Sequence, residues 1–352
     1  MKKTSFVLFV TLCIALISCG KKEVETPTLS GLLPSKFEYT TEDGEVNRLY
    51  VLKNAQGMEV TVVNIGARIV SVVAPDKDGG RKNVVLGFDS IQPYLQPKNF
   101  YGAIVGRYAN RIADGSFDLD RVTYRIRTNE GKNQLHGGPR GFYTRYFSIE
   151  QPDEQSVVCS YLSKDGEEGY PGNLKLTVTY TLTEANALRI DYQATTDRAT
   201  YLNITNHAYF NLSGADANTL ADHQLYIDAA NYTPVREDLI PTGAIAPVEG
   251  AIDLTTLRPL DLSYQYDLNY VLNRPGDIDH LAAELYSSTT GIGMEVYTTE
   301  PGVQFYDDKA RPSVCLETQH FPDSPHNPSF PSTVLRVDSV FNSQTIYKFI
   351  VK

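Results

Sequence analysis

The stretch from Leu174 to Thr195 most constrains what this chain can fold into. Leu174, Leu176, Val178, Tyr180 and Leu182 alternate with Lys175 and four threonines, and Leu188, Ile190, Tyr192 and Ala194 then alternate with Arg189, Asp191 and Gln193. A period of two places the apolar residues on one face of a strand, and Glu184 to Ala187 form a turn, so the stretch predicts a hairpin. Each strand has one apolar face that another sheet must cover. This favours an antiparallel sandwich over a parallel α/β fold.

The rest of the chain from Tyr39 repeats the pattern. Glu59 to Val73 reads as two strand runs separated by Asn64, Gly66 and Arg68, and Asn83 to Phe88 as another. Leu281 to Tyr286 pairs with Met294 to Thr298 across Gly291 and Gly293, and Val314 to Gln319 and Thr345 to Val351 close the fold. Tyr201 to Leu212, YLNITNHAYFNL, reads as a strand with Asn203, Thr205, His207 and Tyr209 on its polar front and Leu202, Ile204, Ala208 and Phe210 behind. The expectation is all-β: one large antiparallel β-sandwich domain over 35–352, without internal repeats.

The N-terminus reads as an address. Lys2 and Lys3 precede an apolar run, Phe6 to Ile17, that is too short to span a bilayer but suits a signal peptide. It ends Leu16, Ile17, Ser18, Cys19, Gly20, which resembles a bacterial lipobox and implies acylation of Cys19. The expectation is an exported, membrane-anchored lipoprotein with residues 1–18 as signal peptide and 19–34 as tether. Cys13 leaves with the signal peptide. Cys159 and Cys315 remain, either as a disulfide or as buried thiols, and no spacing suggests a metal site.

With 32 basic against 42 acidic residues and no basic run beyond Lys21 and Lys22, there is no electrostatic footprint for nucleic acid. A neutral, polar or cationic small partner fits better. The 23 tyrosines and 14 phenylalanines suit both strand packing and sugar binding.

Three segments carry candidate chemistry. GRYANRI places Asn110 beside Arg111, fixed donors suited to sugar hydroxyls. NQLHGG puts His136 before two glycines that would let the backbone approach a ligand. In VCLETQ, Glu317 shares a strand face with Cys315 and Gln319, and enclosure of that face would raise its pKa towards that of a useful base. Without further context each also reads as an ordinary loop or edge residue.

GRYANRI, NQLHGG, DGEEGYPG, TNHAYFNL, EVYTTEPGVQFY and VCLETQHFPDSPHNPSFPS, in this order, resemble the aldose 1-epimerase family, also called galactose mutarotase. The resemblance implies a β-sandwich whose concave face takes a monosaccharide without metal or organic cofactor. It implies Glu317 as base, His207 as acid, His136 as an aid at the ring oxygen and neighbouring hydroxyls, and Asn110, Arg111, Asp267 and Gln304 as substrate contacts. The chain departs from the family where Asp267, Leu268, Asn269 stand for an Asp-His-Asn triplet. The loops between Asp253 and Asp267 and between Tyr306 and Cys315 are also short, with Asp307 and Asp308 in place of small residues. A sugar-binding lipoprotein without catalysis and a hexose-6-phosphate epimerase are the other readings, the latter opposed by the absence of an Arg cluster.

Overall fold

In the computed structural model, which describes residues 25–352, every extended pairing between strands is antiparallel. Among the described residues there is no α-helix, only short 3-10 turns. The signal-peptide run and Cys19 lie outside the described residues.

The predicted hairpin forms as Leu174–Leu182 and Ala187–Thr196, with Leu176 opposite Ala194 and Tyr180 opposite Ile190. It sits inside a nine-stranded sheet that Phe341–Val351 and Ile292–Thr298 continue on one side and Ser156–Ser163 on the other. Its apolar face is buried with the inner residues of two further sheets. One is four-stranded, with Val60, Val62 and Val72. The other is five-stranded and runs Ala246–Pro247, Asn231–Thr233, Asp267–Val271, Gly302–Asp308, Ser313–Gln319, contributing Tyr270, Phe305, Val314 and Leu316. The sheets thus cover one another's apolar faces, as the alternation requires.

Two segments differ from the expected strands. Tyr201 to Leu212 is broken: Thr200–Tyr201 pairs with Val334–Leu335, Thr205–His207 pairs with Ala103–Val105, and Phe210 bridges Val314. The break falls at Asn203, whose backbone makes a lone parallel bridge to Tyr108 through bonds to Arg107 and Ala109. Its side-chain amide donates to the carbonyls of Ala109 and His320 and accepts from the His320 N–H at 3.0 Å, adding side-chain bonds on either side. The apolar back of the segment is as expected, since Leu202, Ile204, Ala208 and Phe210 all lie in the core.

The second difference is at Asn83 to Phe88. The strand is Arg81–Asn83, and Asn83 then accepts the N–H groups of Val72 and Val85, so the chain leaves the ladder with a single bridge from Val85 to Phe210.

Sheet contacts begin ahead of Ser35. The Leu29 N–H donates to Glu59 at 2.7 Å and the Ser30 hydroxyl to Ser71 at 2.9 Å. Cys159 and Cys315 are both buried and unbridged, which decides between the two states open to them.

Candidate active site

The five-stranded sheet is extended past Ser313–Gln319 by the bridge from Val314 to Phe210 and by the pairing of Thr205–His207 with Ala103–Val105. Alternation then aims side chains of separate strands into one cavity of about 170 Å³, lined by Phe100, Asn110, Arg111, Leu135, His136, His207, Tyr209, Asp267, Tyr306 and Glu317. Six of the seven expected catalytic and contact residues lie on this lining. The seventh, Gln304, stands directly opposite Glu317 across the ladder and reaches the cavity wall by donating to Asp267 at 2.6 Å.

On Ser313–Gln319, Val314 and Leu316 enter the core while Glu317 turns to the cavity. The carboxylate is 2 % exposed, and its Oε1 lies 3.6 Å from Nε2 of His207. Its Oε2 is buried without a protein partner, an acceptor position left for a ligand hydroxyl. Burial, reinforced by the negative charge of Asp267 and opposed by Arg111, pushes the Glu317 carboxyl well above the usual range. Burial pulls His207 down to about 3. Burial thus favours the protonated carboxyl and the neutral imidazole at this pair.

His207 is held from several sides. Its ring stacks on Tyr209 at 4.9 Å and on Phe100 at 5.7 Å, and Cys315 Sγ lies 3.5 Å from Nδ1.

His136 has φ +50° and Asn110 φ +60°, both in the left-handed region. A reciprocal pair of bonds holds them there: the His136 N–H donates to the Asn110 carbonyl at 2.9 Å, and the Asn110 N–H donates to His136 Nδ1 at 3.1 Å. Nδ1 being an acceptor, the ring proton is on Nε2, and burial with His207 and Arg111 nearby holds His136 neutral. The glycines after His136 serve a different purpose from the one expected. A Cβ on Gly137 would stand 1.8 Å from the Gly106 carbonyl, so its close approach is to the GRYANRI backbone and fixes the histidine's turn.

Arg111 lines the cavity with its side chain buried. Its guanidinium makes a bidentate pair with Glu130 at 2.7 and 3.1 Å and lies 3.6 Å from Asp267. Burial raises the Asp267 carboxyl, with Arg111 and the bond from Gln304 opposing the shift. Leu268 is not on the cavity lining: alternation turns it to the core, away from Glu317 and His207. Asp307 is also away from the cavity: it lies in the strand Gly302–Asp308 and accepts the Tyr266 N–H and the Gln265 side chain, pinning the segment ahead of Asp267.

Phe100, Leu135, Tyr209 and Tyr306 line the cavity and Glu130 holds Arg111, but none of them is among the site residues expected from the sequence. Tyr209 and Tyr306 carried a signal, since each stands two residues beyond a nominated one on the same strand face. Phe100 and Glu130 lie in irregular segments and carried none.

A carboxyl and two imidazoles around one cavity can move protons to and from a small polyol. Their donor atoms lie within 4.8 Å of one another and are of the kind a zinc-like cation takes.

The sequence matches the aldose 1-epimerase family model over residues 48–348. The chain belongs to that family. It is 38% identical over 318 residues to the galactose mutarotase of Homo sapiens, covering 84% of this chain and 92% of that protein. It is 36% identical over 337 residues to the aldose 1-epimerase of Escherichia coli, covering 88% and 97%. Among solved structures, a C. elegans aldose epimerase homologue superposes with a TM-score of 0.82 at 29% identity, covering 87% of this chain and 99% of that one. Galactose 1-epimerase from Lactobacillus acidophilus superposes with a TM-score of 0.77 at 27% identity, covering 89% and 97%. The protein is an isomerase of this family, on an antiparallel galactose mutarotase-like fold.

Proposed function

We propose that the protein interconverts the α and β anomers of free aldohexoses such as galactose or glucose. The observation that carries this reading is the buried Glu317–His207 pair, 3.6 Å apart at one cavity. Ring opening takes the proton from the C1 hydroxyl and gives one to the ring oxygen, with the C1–ring oxygen bond breaking and C1 becoming a carbonyl. Rotation about the C1–C2 bond and reversal of both transfers closes the other anomer. One proton leaves and one arrives, so the reaction needs neither an oxidant nor a covalent intermediate.

Glu317 acts as the base and His207 as the acid. Burial favours the carboxylic acid and the neutral imidazole. The working carboxylate–imidazolium form has the same net charge and differs by one proton transfer within the pair, so it needs no proton from solvent. His136 donates from Nε2 to the ring oxygen side of the sugar. Asn110, Arg111, Asp267 and Gln304 hold hydroxyls.

The protein is also proposed to be exported and anchored through lipid on Cys19, on the strength of the apolar run and LISC.

Polarimetry of freshly dissolved α-glucose, α-galactose and α-xylose with purified protein tests the reaction. Acceleration well above buffer is expected for at least one hexose. Sugar binding with no acceleration would make the protein a lectin, and dependence on a 6-phosphate would make it a hexose-phosphate epimerase.

A further inference from the structure

Each nitrogen of the His207 ring has a polar side chain beside it, and both side chains come from one strand. Cys315 Sγ lies 3.5 Å from Nδ1, and Glu317 Oε1 lies 3.6 Å from Nε2. Cys315 and Glu317 are two residues apart on Ser313–Gln319, so alternation puts thiol and carboxyl on the same face, roughly 6.8 Å apart along the strand. The segment that carries the histidine is fixed against this strand on both sides of it. Phe210 bridges Val314, and the His320 N–H donates to Asn203. The stacked rings of Phe100 and Tyr209 set the plane of the imidazole between these anchors.

A neutral imidazole carries its proton on Nδ1 or on Nε2, and the partner of one nitrogen decides the state of the other. Proton exchange with Glu317 takes place at Nε2, which must be bare to receive the carboxyl proton. The ring proton then belongs on Nδ1, where burial requires an acceptor, and the Cys315 sulfur stands there. A thiol that donated to Nδ1 would put the ring proton on Nε2 and block the exchange until the tautomer changed. Cys315 is fully buried beside Leu86 and Tyr209, and burial together with the charge of Glu317 pushes its thiol well above the ordinary range, so the sulfur stays neutral. A neutral sulfur is a weak acceptor. It fixes where the proton sits but does little to hold the charge of an imidazolium, which a carboxylate at the same nitrogen would do, so His207 stays a strong acid towards the ring oxygen.

We propose that Cys315 is a positioning residue: its sulfur accepts the Nδ1–H of His207 in both protonation states of the ring and leaves Nε2 as the one ring atom that gains and loses a proton. The proposal rests on the epimerase reading and adds a residue to it. No bond to sulfur forms or breaks. The Nδ1–H stays in place while a single proton moves between Glu317 Oε1, Nε2 and the sugar.

The test reads the tautomer first and the rate second. In protein made with nitrogen-15-labelled histidine, the ring signals of His207, assigned by their through-space contact with the Tyr209 ring, should show Nδ1 protonated and Nε2 bare. A dominant Nε2–H form overturns the proposal, and this measurement needs no variant. Cys315→Ala should lower kcat for α-galactose by about threefold to tenfold, as for loss of one neutral hydrogen bond, with KM changed by less than about twofold, and should populate both tautomers. Cys315→Ser returns a small acceptor and should recover most of the lost kcat. An unchanged kcat in folded Cys315→Ala, or a fall that serine does not recover, also overturns the proposal, because lost packing alone lowers stability in urea without moving the tautomer. If the unmodified protein turns over no sugar, the epimerase reading has failed; if it turns sugar over with the proton on Nε2, only the role of Cys315 has.

Discussion

Burial of Glu317 and His207 favours a pair that holds one proton, and that sets the pH dependence expected of the proposed reaction. A second proton must enter at His207, whose burial puts that event below the ordinary histidine range, and the last proton leaves Glu317 above the ordinary carboxylate range. The singly protonated pair, in either internal arrangement, is the active one. The pH profile of kcat/KM should thus be a bell with a broad plateau across neutral pH, its two limbs belonging to the pair rather than to either residue. An acid limb at or above about pH 6.5 would show that His207 titrates as if exposed. On the cavity lining, Arg111 and Asp267 offer a fixed donor and an acceptor. Arg111→Ala and Asp267→Asn are expected to raise KM by roughly tenfold to a hundredfold, as for loss of a charged hydrogen bond, with smaller effects on kcat. A fall in kcat at unchanged KM for both would place them in the proton transfers instead.

At the level of elements, the site is an intersection of strands that alternation makes legible and loops that it does not. The face shared by Cys315, Glu317 and Gln319 could be read from Val314 and Leu316 alone, because period two leaves one choice. The front of TNHAYFNL was legible in the same way, although the strand is in pieces around Asn203, which bonds across to Arg107, Ala109 and His320. Which strands meet at the cavity is a matter of long-range pairing, and local pattern does not encode it; the family motifs supplied it. Phe100 and Glu130 were invisible because their positions depend on contacts rather than period. Leu268 was read as a departure at the site, and its orientation towards the core became apparent only from the register of Asp267–Val271.

The end of the Glu317 strand makes a stability prediction of its own. His320, just past Gln319, bonds buried Glu300 at 2.6 Å. Burial opposes charging of His320, but the charge and hydrogen bond of Glu300 win and raise its pKa. A raised value means the stabilisation is fully present below the unfolded histidine pKa, about 6.5, and is lost as pH rises through the folded value. His320→Gln should cost about 1.5–3 kcal/mol at pH 6 and flatten that part of the stability curve in urea unfolding. An unchanged slope between pH 6 and 9 would remove the pair from the account.

For the whole molecule, the proposed lipid on Cys19 leaves the sandwich in water beside a membrane, and among the described residues no helix is long and apolar enough to cross one. Cys19→Ala should release the protein from the membrane fraction, and mass spectrometry finding an unmodified mature terminus elsewhere would end that reading. The chain's formal net charge of −10 suits an uncharged substrate, and the cavity's polar lining suits a polyol.

The central claim is that this cavity moves protons on a sugar through Glu317. The direct measurement is the initial rate of α-galactose mutarotation by Glu317→Gln, with sugar affinity measured on the same preparation by calorimetry. Gln keeps the shape and removes the titratable carboxyl, so kcat should fall by roughly 100- to 10,000-fold with affinity largely kept. A folded variant that retains near-normal mutarotation would contradict the account.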